Sequence, residues 1–550
     1  MAEGTDRVQP AIAFGSGAPG PESPAQEEEQ AEQGKRLGRS TAFFSIATGL
    51  SRIAGLVREI FAASYFGVGI QMSAFTIAFL VPNLVRSLFA DAALQAAFVP
   101  VFTEQLEKGR KIEAFRLAST LIFGATLILG LITALFILLA PLVMPLFAPG
   151  YSGEELDLTV ALSRLLFPIL IMLGVSGVVV GVLNSYNRFG VFAIAPLFWN
   201  LAIIAVLIGL APAFPDGDEI YAYAIGVVVG TALQLAMVAY DLRNTPFRLR
   251  RVFEWRSKLV KRVLLLMLPV TISLGLINFN LAINGIFGSL VPGQGEEAPA
   301  AIDKAFRIYM LPQGMFSVAV ATVVFPTLAR FAARREFDDL RRTVANGMRM
   351  ILLVLTPAAA AILVLSEPMI RLVYERGDFT ASDTDLVATA LFWFAFSLPF
   401  NGLFLILTRT FFSLQRPWIP TSISALNLLI TAGFSAAFYK PFGVAGIVGA
   451  TALATFTSVV AQMVVLRGQL NGIELRTLID GAVRITVASA VLAGVSWLVW
   501  DVLDGIVGEG TGGQIISLGV ALVAGAIVYL GAVLAMRVPE ARQLLGVLRR

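Results

Sequence analysis

The sequence predicts an all-α polytopic membrane protein with about fourteen crossings, and three observations carry that prediction. Of the 550 residues 57% are hydrophobic and only 14% are charged, whereas an ordinary soluble domain carries roughly 25% charged residues. Mean hydropathy is +0.80 over the whole chain, too high for one large soluble core. The apolar residues gather into runs of about 20 or more, the length a helix needs to cross a bilayer. The chain also lacks Cys and His entirely. That removes disulfides, thiolate metal sites and thiol nucleophiles, together with the commonest general base. A membrane enzyme would need a His, or loop carboxylates clustered beside a nucleophile, and neither is present. No catalytic residue, metal ligand or cofactor is expected.

Residues 1–36 form a Gly-, Pro- and Glu-rich segment without apolar periodicity, read as a disordered tail and not as a signal peptide. The first crossing, 41–66, carries Arg52, Arg58 and Glu59 along with Gly55. The second, 73–102, holds Pro82, Asn83, Arg86, Asp91 and Pro100. Segments 117–146, 159–183, 191–213 and 219–241 are almost wholly apolar and complete a first lobe, 37–242. A basic linker, 243–262, follows. The second lobe, 263–467, begins with an asparagine-bearing crossing, 263–291, and continues with 303–329, which contains Arg307 and Pro312. Its other crossings are 350–373, 385–408, 418–439 and 443–466. Two more, 485–506 and 514–536, fall within 468–550 and end in a short basic tail.

Sorted by loop, 32 of the 41 Lys and Arg fall on the side of the two termini. Only Lys304, Arg376 and Lys440 fall on the other side, whose loops are acidic. The positive-inside rule then places both termini in the cytoplasm. The basic pI of 9.3 reflects loops facing anionic lipid and implies no nucleic-acid partner.

Six cations remain inside the crossings: Arg52, Arg58, Arg86, Arg164, Arg307 and Arg371. Arg164 and Arg371 lie near span ends, where a long side chain reaches the headgroups. The other four are deep, and each costs about 2.5–3.5 kcal/mol to insert. Glu59 and Asp91 neutralise at most two of them. The surplus predicts a positively charged cavity suited to a dianionic head group, because the planar guanidinium grips phosphate oxygens in pairs.

The two lobes echo each other. Ala74-Phe75-Thr76-Ile77 and Pro82 in the second crossing match Ala305-Phe306-Arg307-Ile308 and Pro312 in the eighth, and a second proline, Pro100 or Pro326, follows in each. Pro168, Asn187-Arg188 and Asn200 likewise match Pro399, Gln415-Arg416 and Asn427. Both echoes are displaced by six crossings. An even displacement predicts a parallel repeat about an axis along the membrane normal, with a site between the lobes that suits alternating access.

Several runs resemble the MviN/MurJ lipid II flippases: Ser51-Arg52-Ile53-Ala54-Gly55-Leu56-Val57-Arg58-Glu59, Pro82-Asn83-Leu84-Val85-Arg86 through Asp91, Asn184-Ser185-Tyr186-Asn187-Arg188, and Tyr374-Glu375-Arg376-Gly377-Asp378. The resemblance covers about residues 37–540. It implies the MOP exporter fold in the bacterial cytoplasmic membrane. It also implies transport of lipid-linked peptidoglycan precursor to the outer leaflet for cell wall synthesis, with lipid II, membrane lipids and cell wall synthesis or division proteins as partners. It carries the substrate-binding role onto Arg52, Arg58, Arg86 and Arg307, with Ser51, Glu59, Asn83 and Asp91 in support. Departures are Ser73 and Phe306, where many members carry acidic residues, and the absence of a carboxylate among Asn278, Asn280, Asn284 and Asn427. The alternative is a MATE-like or polysaccharide-lipid exporter of the same superfamily. A drug exporter of that kind usually needs buried carboxylates, where this chain offers arginines.

Overall fold

The computed structural model describes residues 46–89, 92–470, 472–508 and 510–542. Side chains at 86–89, 92–96, 269–270, 272–278, 318–319 and 322–323 lie outside that description, as do the N-terminal tail and Asp91. The described residues are helical nearly throughout. Helix α1 covers 46–66. The predicted second crossing is α2 (Ile70–Phe89) and α3 (Ala92–Glu107). The third to sixth are α4 (Lys111–Phe147), α5 with α6 (Gly153–Leu166, Ile169–Ser185), α7 (Gly190–Leu210) and α8 (Ile220–Leu242). After the linker come α9 (Lys258–Ser289), α10 (Ala298–Pro312), α11 (Val318–Arg334), α12 (Phe337–Tyr374) and α13 (Ala381–Ser413). The last three are α14 (Trp418–Gln469), α15 (Leu475–Val507) and α16 (Thr511–Ala535). Among the described residues, nine helical runs are long and apolar enough to cross a membrane. Crossings one, two, seven and eight are not among them, and three of these four carry the deep arginines.

Prolines and one glycine set the breaks. A π-helical turn, Gln313–Ser317, follows Pro312 and separates α10 from α11, because proline supplies no N–H to the helical ladder and crowds the preceding turn. The predicted crossings eleven and twelve form the single run α14, broken at Gly443, whose φ of 55° suits a residue without a side chain. In α12 the backbone leaves helical geometry at Leu365, three residues before Pro368.

The repeated sequence pairs terminate alike. Asn187 and Gln415 both adopt left-handed φ, at 56° and 57°. The next residue in each, Arg188 or Arg416, donates its N–H to the carbonyl five residues back, Leu183 or Phe411. The same reversal closes the second and eighth crossings. Gly109 and Arg335 are left-handed, and Arg110 and Glu336 donate to Gln105 and Phe331. Such a backward bond satisfies carbonyls that the helix end leaves open.

Helix α9 packs against α2, α3 and α4 as well as against α10 and α14, so it ties the first group of helices to the second. The basic linker that leads into it runs along α4. The Arg250 and Glu254 amides donate to Ser119 Oγ (2.9 Å) and Thr120 Oγ1 (3.2 Å), and Phe247 is buried against Phe115. The linker therefore packs on protein along one side. At the other end of the chain, α15 and α16 dock on α12 through Arg371–Asp504 (3.0 Å), Arg349–Glu540 and the Tyr529 hydroxyl, which donates to the Leu353 carbonyl.

The face bearing the acidic loops is closed. There the Asp378 amide donates to the Ser64 carbonyl (2.9 Å), and the Ala300 amide donates to Ser73 Oγ (3.1 Å). Ser73 thus caps the first turn of α10. Toward the basic face one side of α1 is uncovered, while Ala47 and Ala54 on the other side are buried. Ile46 and Ile53 are 63% and 62% exposed, whereas Ala62 and Ala63 near its far end are fully buried.

Candidate functional site

Helices α1, α2 and α10 bring four of the predicted residues together. Arg58 and Glu59 sit on α1, Asn83 on α2 and Arg307 on α10. Glu59 is buried, and its Oε1 accepts a hydrogen bond from Arg58 Nη2 and forms an ion pair with Arg307 Nη1 at 3.1 Å. One carboxylate oxygen therefore joins guanidinium groups from the two helix groups. Arg307 also binds Asp303, one turn earlier on α10, through Nε (2.8 Å). Arg58 is 7% exposed and lies over the Trp199 ring at 4.7 Å. A cation against an indole face gains electrostatic attraction without needing a counter-ion.

Arg58, Asn83 and Arg307 line a cavity of about 320 Å³, with Trp199, Tyr223 and Gln234 among its walls. Asn83 and Arg307 also line a second cavity of about 220 Å³ beside it. That space adjoins a third, of about 240 Å³, walled by Asn280, Asn284, Asn401, Asn427 and hydroxyl groups. Three of the asparagines there are tied into side-chain hydrogen bonds with one another or with hydroxyls. Asn280 Nδ2 donates to Asn427 Oδ1 (2.7 Å), Asn427 Nδ2 to Ser458 Oγ (2.9 Å), and Thr451 Oγ1 to Asn284 Oδ1 (3.2 Å). The set runs from cationic to neutral-polar.

Arg52 stands six residues before Arg58 on α1, about 9 Å along the axis at 1.5 Å per residue. It is exposed, and its guanidinium lies against the π-helical turn, where a Cβ on Gly314 would stand 3.6 Å from Nη1. Arg86 lies in α2 one turn past Asn83, with its side chain outside the described residues. Ser51 turns its carbonyl to α7, where it accepts from Asn200 Nδ2 (3.3 Å). Asp91 lies outside the described residues.

One reading of the sequence is corrected. Lys304 does not belong to an exposed loop. It is fully buried in α10, over the Tyr374 ring at 5.4 Å and within the field of Glu59 and Asp303. The eighth crossing starts about a turn earlier than its apolar run, because Ala298–Ile302 are buried against protein. Asp303 was equally missed as a counter-charge, although its i, i+4 spacing from Arg307 is readable in the sequence. Among the described residues the cluster now holds Arg58, Lys304 and Arg307 against Glu59 and Asp303, a surplus of positive charge. Arg164 and Arg371 lie elsewhere. Arg164 Nε donates to the Ile137 carbonyl (3.0 Å), and Arg371 pairs with Asp504.

A bundle of interrupted helices with a buried, net-positive cavity where two helix groups meet is an architecture suited to a polytopic membrane transporter. The comparisons narrow the class. Residues 62–510 match the family described as Lipid II flippase MurJ, and the chain belongs to that family. A protein of Rhizobium tropici named "Probable lipid II flippase MurJ" is 33% identical over 451 residues, covering 81% of this chain and 84% of its own. One of Rhizobium meliloti with the same name is 32% identical, covering 82% and 84%. Among solved structures, a lipid II flippase MurJ in an inward closed conformation superposes with TM-score 0.74 at 23% identity, covering 91% of this chain and 99% of its own. An inward-facing MATE transporter of the MOP superfamily gives 0.62 at 15% identity, covering 78% and 94%. These two likenesses show a shared fold.

Proposed function

We propose that this protein flips lipid II from the cytoplasmic to the outer leaflet of the bacterial inner membrane, for peptidoglycan synthesis. Alternating access takes place between two six-helix lobes, 37–242 and 263–467. Arg52, Arg58, Arg86 and Arg307 bind the diphosphate, with Asn83 in the same cavity. Both termini lie in the cytoplasm, so the uncovered end of α1 faces the leaflet that supplies substrate and the closed acidic face is the outer one. The observation that carries this reading is the meeting of Arg58 and Arg307, from opposite lobes, on one buried carboxylate, that of Glu59. A diphosphate has the charge and the oxygens to take that carboxylate's place on both guanidinium groups. A ligand held by both lobes is one whose binding biases their relative position.

Complementation tests this function. The chain, expressed in a bacterium depleted of its native lipid II flippase, restores growth and outer-leaflet lipid II. Failure at normal membrane abundance contradicts the proposal.

A further inference from the structure

Lys304 is the cation that diphosphate binding does not explain. It is fully buried, and its Nζ makes no hydrogen bond among the described residues. Its neighbours are the face of Tyr374 and, at electrostatic range, Glu59, Asp303, Arg307 and Arg58. Glu59 is the complement: Oε1 is shared by Arg58 and Arg307, while Oε2 is buried and has no partner. An unpaired ammonium and a half-used carboxylate inside one low-dielectric cluster are each expensive unless something completes them.

We propose that Glu59 is a placeholder anion that passes to Lys304 when a substrate diphosphate takes Arg58 and Arg307. In the empty cavity Glu59 keeps the two guanidinium groups from repelling each other. An arriving diphosphate displaces it, and a displaced carboxylate left buried and unpaired would oppose binding. Lys304 stands three residues before Arg307 on α10, about 4.5 Å toward the acidic face at the helical rise. The handover therefore moves the α1 carboxylate about one turn along α10 and keeps the two lobes tied through a different residue. One-turn steps of this kind let packed helices pass between discrete arrangements. Lys304 is thus a positioning residue that acts on the substrate through Glu59. The inference rests on the diphosphate reading above.

The test is a double-mutant cycle on the full-length protein in detergent, with farnesyl diphosphate as the probe and its Kd as the readout. Lys304→Met weakens binding at least tenfold in the otherwise native chain but less than threefold in a Glu59→Gln background, where no carboxylate needs a new partner. Glu59→Gln alone tightens binding, because the probe no longer competes with an internal anion. That arm stands even if Lys304→Met does not fold. Equal losses from Lys304→Met in both backgrounds, or weaker binding by Glu59→Gln, overturn the handover. If Arg58→Ala and Arg307→Ala leave the Kd unchanged, the diphosphate reading itself fails, which is a separate outcome.

Discussion

Arg58 and Arg307 line the same cavity and share Glu59 as counter-ion, so their truncation removes charge-assisted bonds, and for Arg58 the contact with the Trp199 ring as well. Each such bond is worth about 1.5–3 kcal/mol, or roughly 10- to 150-fold in binding. Arg52→Ala, Arg58→Ala, Arg86→Ala and Arg307→Ala should each abolish flipping while membrane abundance is kept, since losing a charge eases insertion. Lysine at these positions keeps the charge but not the fork, and should restore activity only in part. Scoring transport beside abundance checks both statements. The structure also changes which control is sound. Arg164 donates to a backbone carbonyl, so Arg164→Ala should stay active. Arg371→Ala instead leaves Asp504 without its partner at a half-buried helix contact. It should lower the melting temperature, as expected for about 1–3 kcal/mol lost from a buried unpaired group, with Asp504→Asn repairing part of the loss. The deep arginines were legible because an apolar run makes any charge conspicuous. Lys304 and Asp303 were not, because a hydropathy boundary cannot tell burial against protein from exposure in a loop.

Helix ends carried more of the repeat than helix interiors did. Apolar interiors tolerate exchange among Leu, Val, Ile and Ala, whereas a left-handed residue with its backward bond constrains the chain at one position, as at Asn187 and Gln415. The breaks in the eighth crossing and in α14 were legible as proline and glycine, but the number of residues they unwind depends on neighbouring helices. Between elements, Glu155 at the start of α5 and Glu296 before α10 meet on the acidic face. The hydrogen bond to Glu155, together with that neighbour's negative charge, raises the Glu296 pKa above the ordinary carboxylate value. A raised acid favours the contact when protonated, so the bridge is present at low pH and is lost as pH rises through the shifted value. A reporter cysteine in place of Ser289, whose Oγ accepts from the Gly150 amide across the same seam and which is buried, should become more accessible as pH rises. Glu296→Gln should flatten that dependence. Accessibility that falls with rising pH contradicts the bridge.

At the scale of the molecule, the charge asymmetry of the loops and the closure of the acidic face point the same way. Cysteines at Gly153, Gly217 and Gly508 should react with an impermeant thiol reagent added outside cells, and one at Ser257 should not. The chain has no native Cys to confuse the result, and labelling at 257 in intact cells would reverse the topology. The all-α polytopic fold class was readable from composition and periodicity, and so were Arg58 and Arg307 as charges inside apolar runs. The sharing of one carboxylate by arginines of α1 and α10 was not, because it depends on how those two helices pack. That sharing is the centre of the account, and the direct measurement is lipid II exposed at the outer face for Arg58→Ala and Arg307→Ala beside Arg164→Ala, at matched abundance. The account predicts loss of exposed lipid II in the first two and a native level in the third. Native levels in all three, or equal loss in all three, would contradict it.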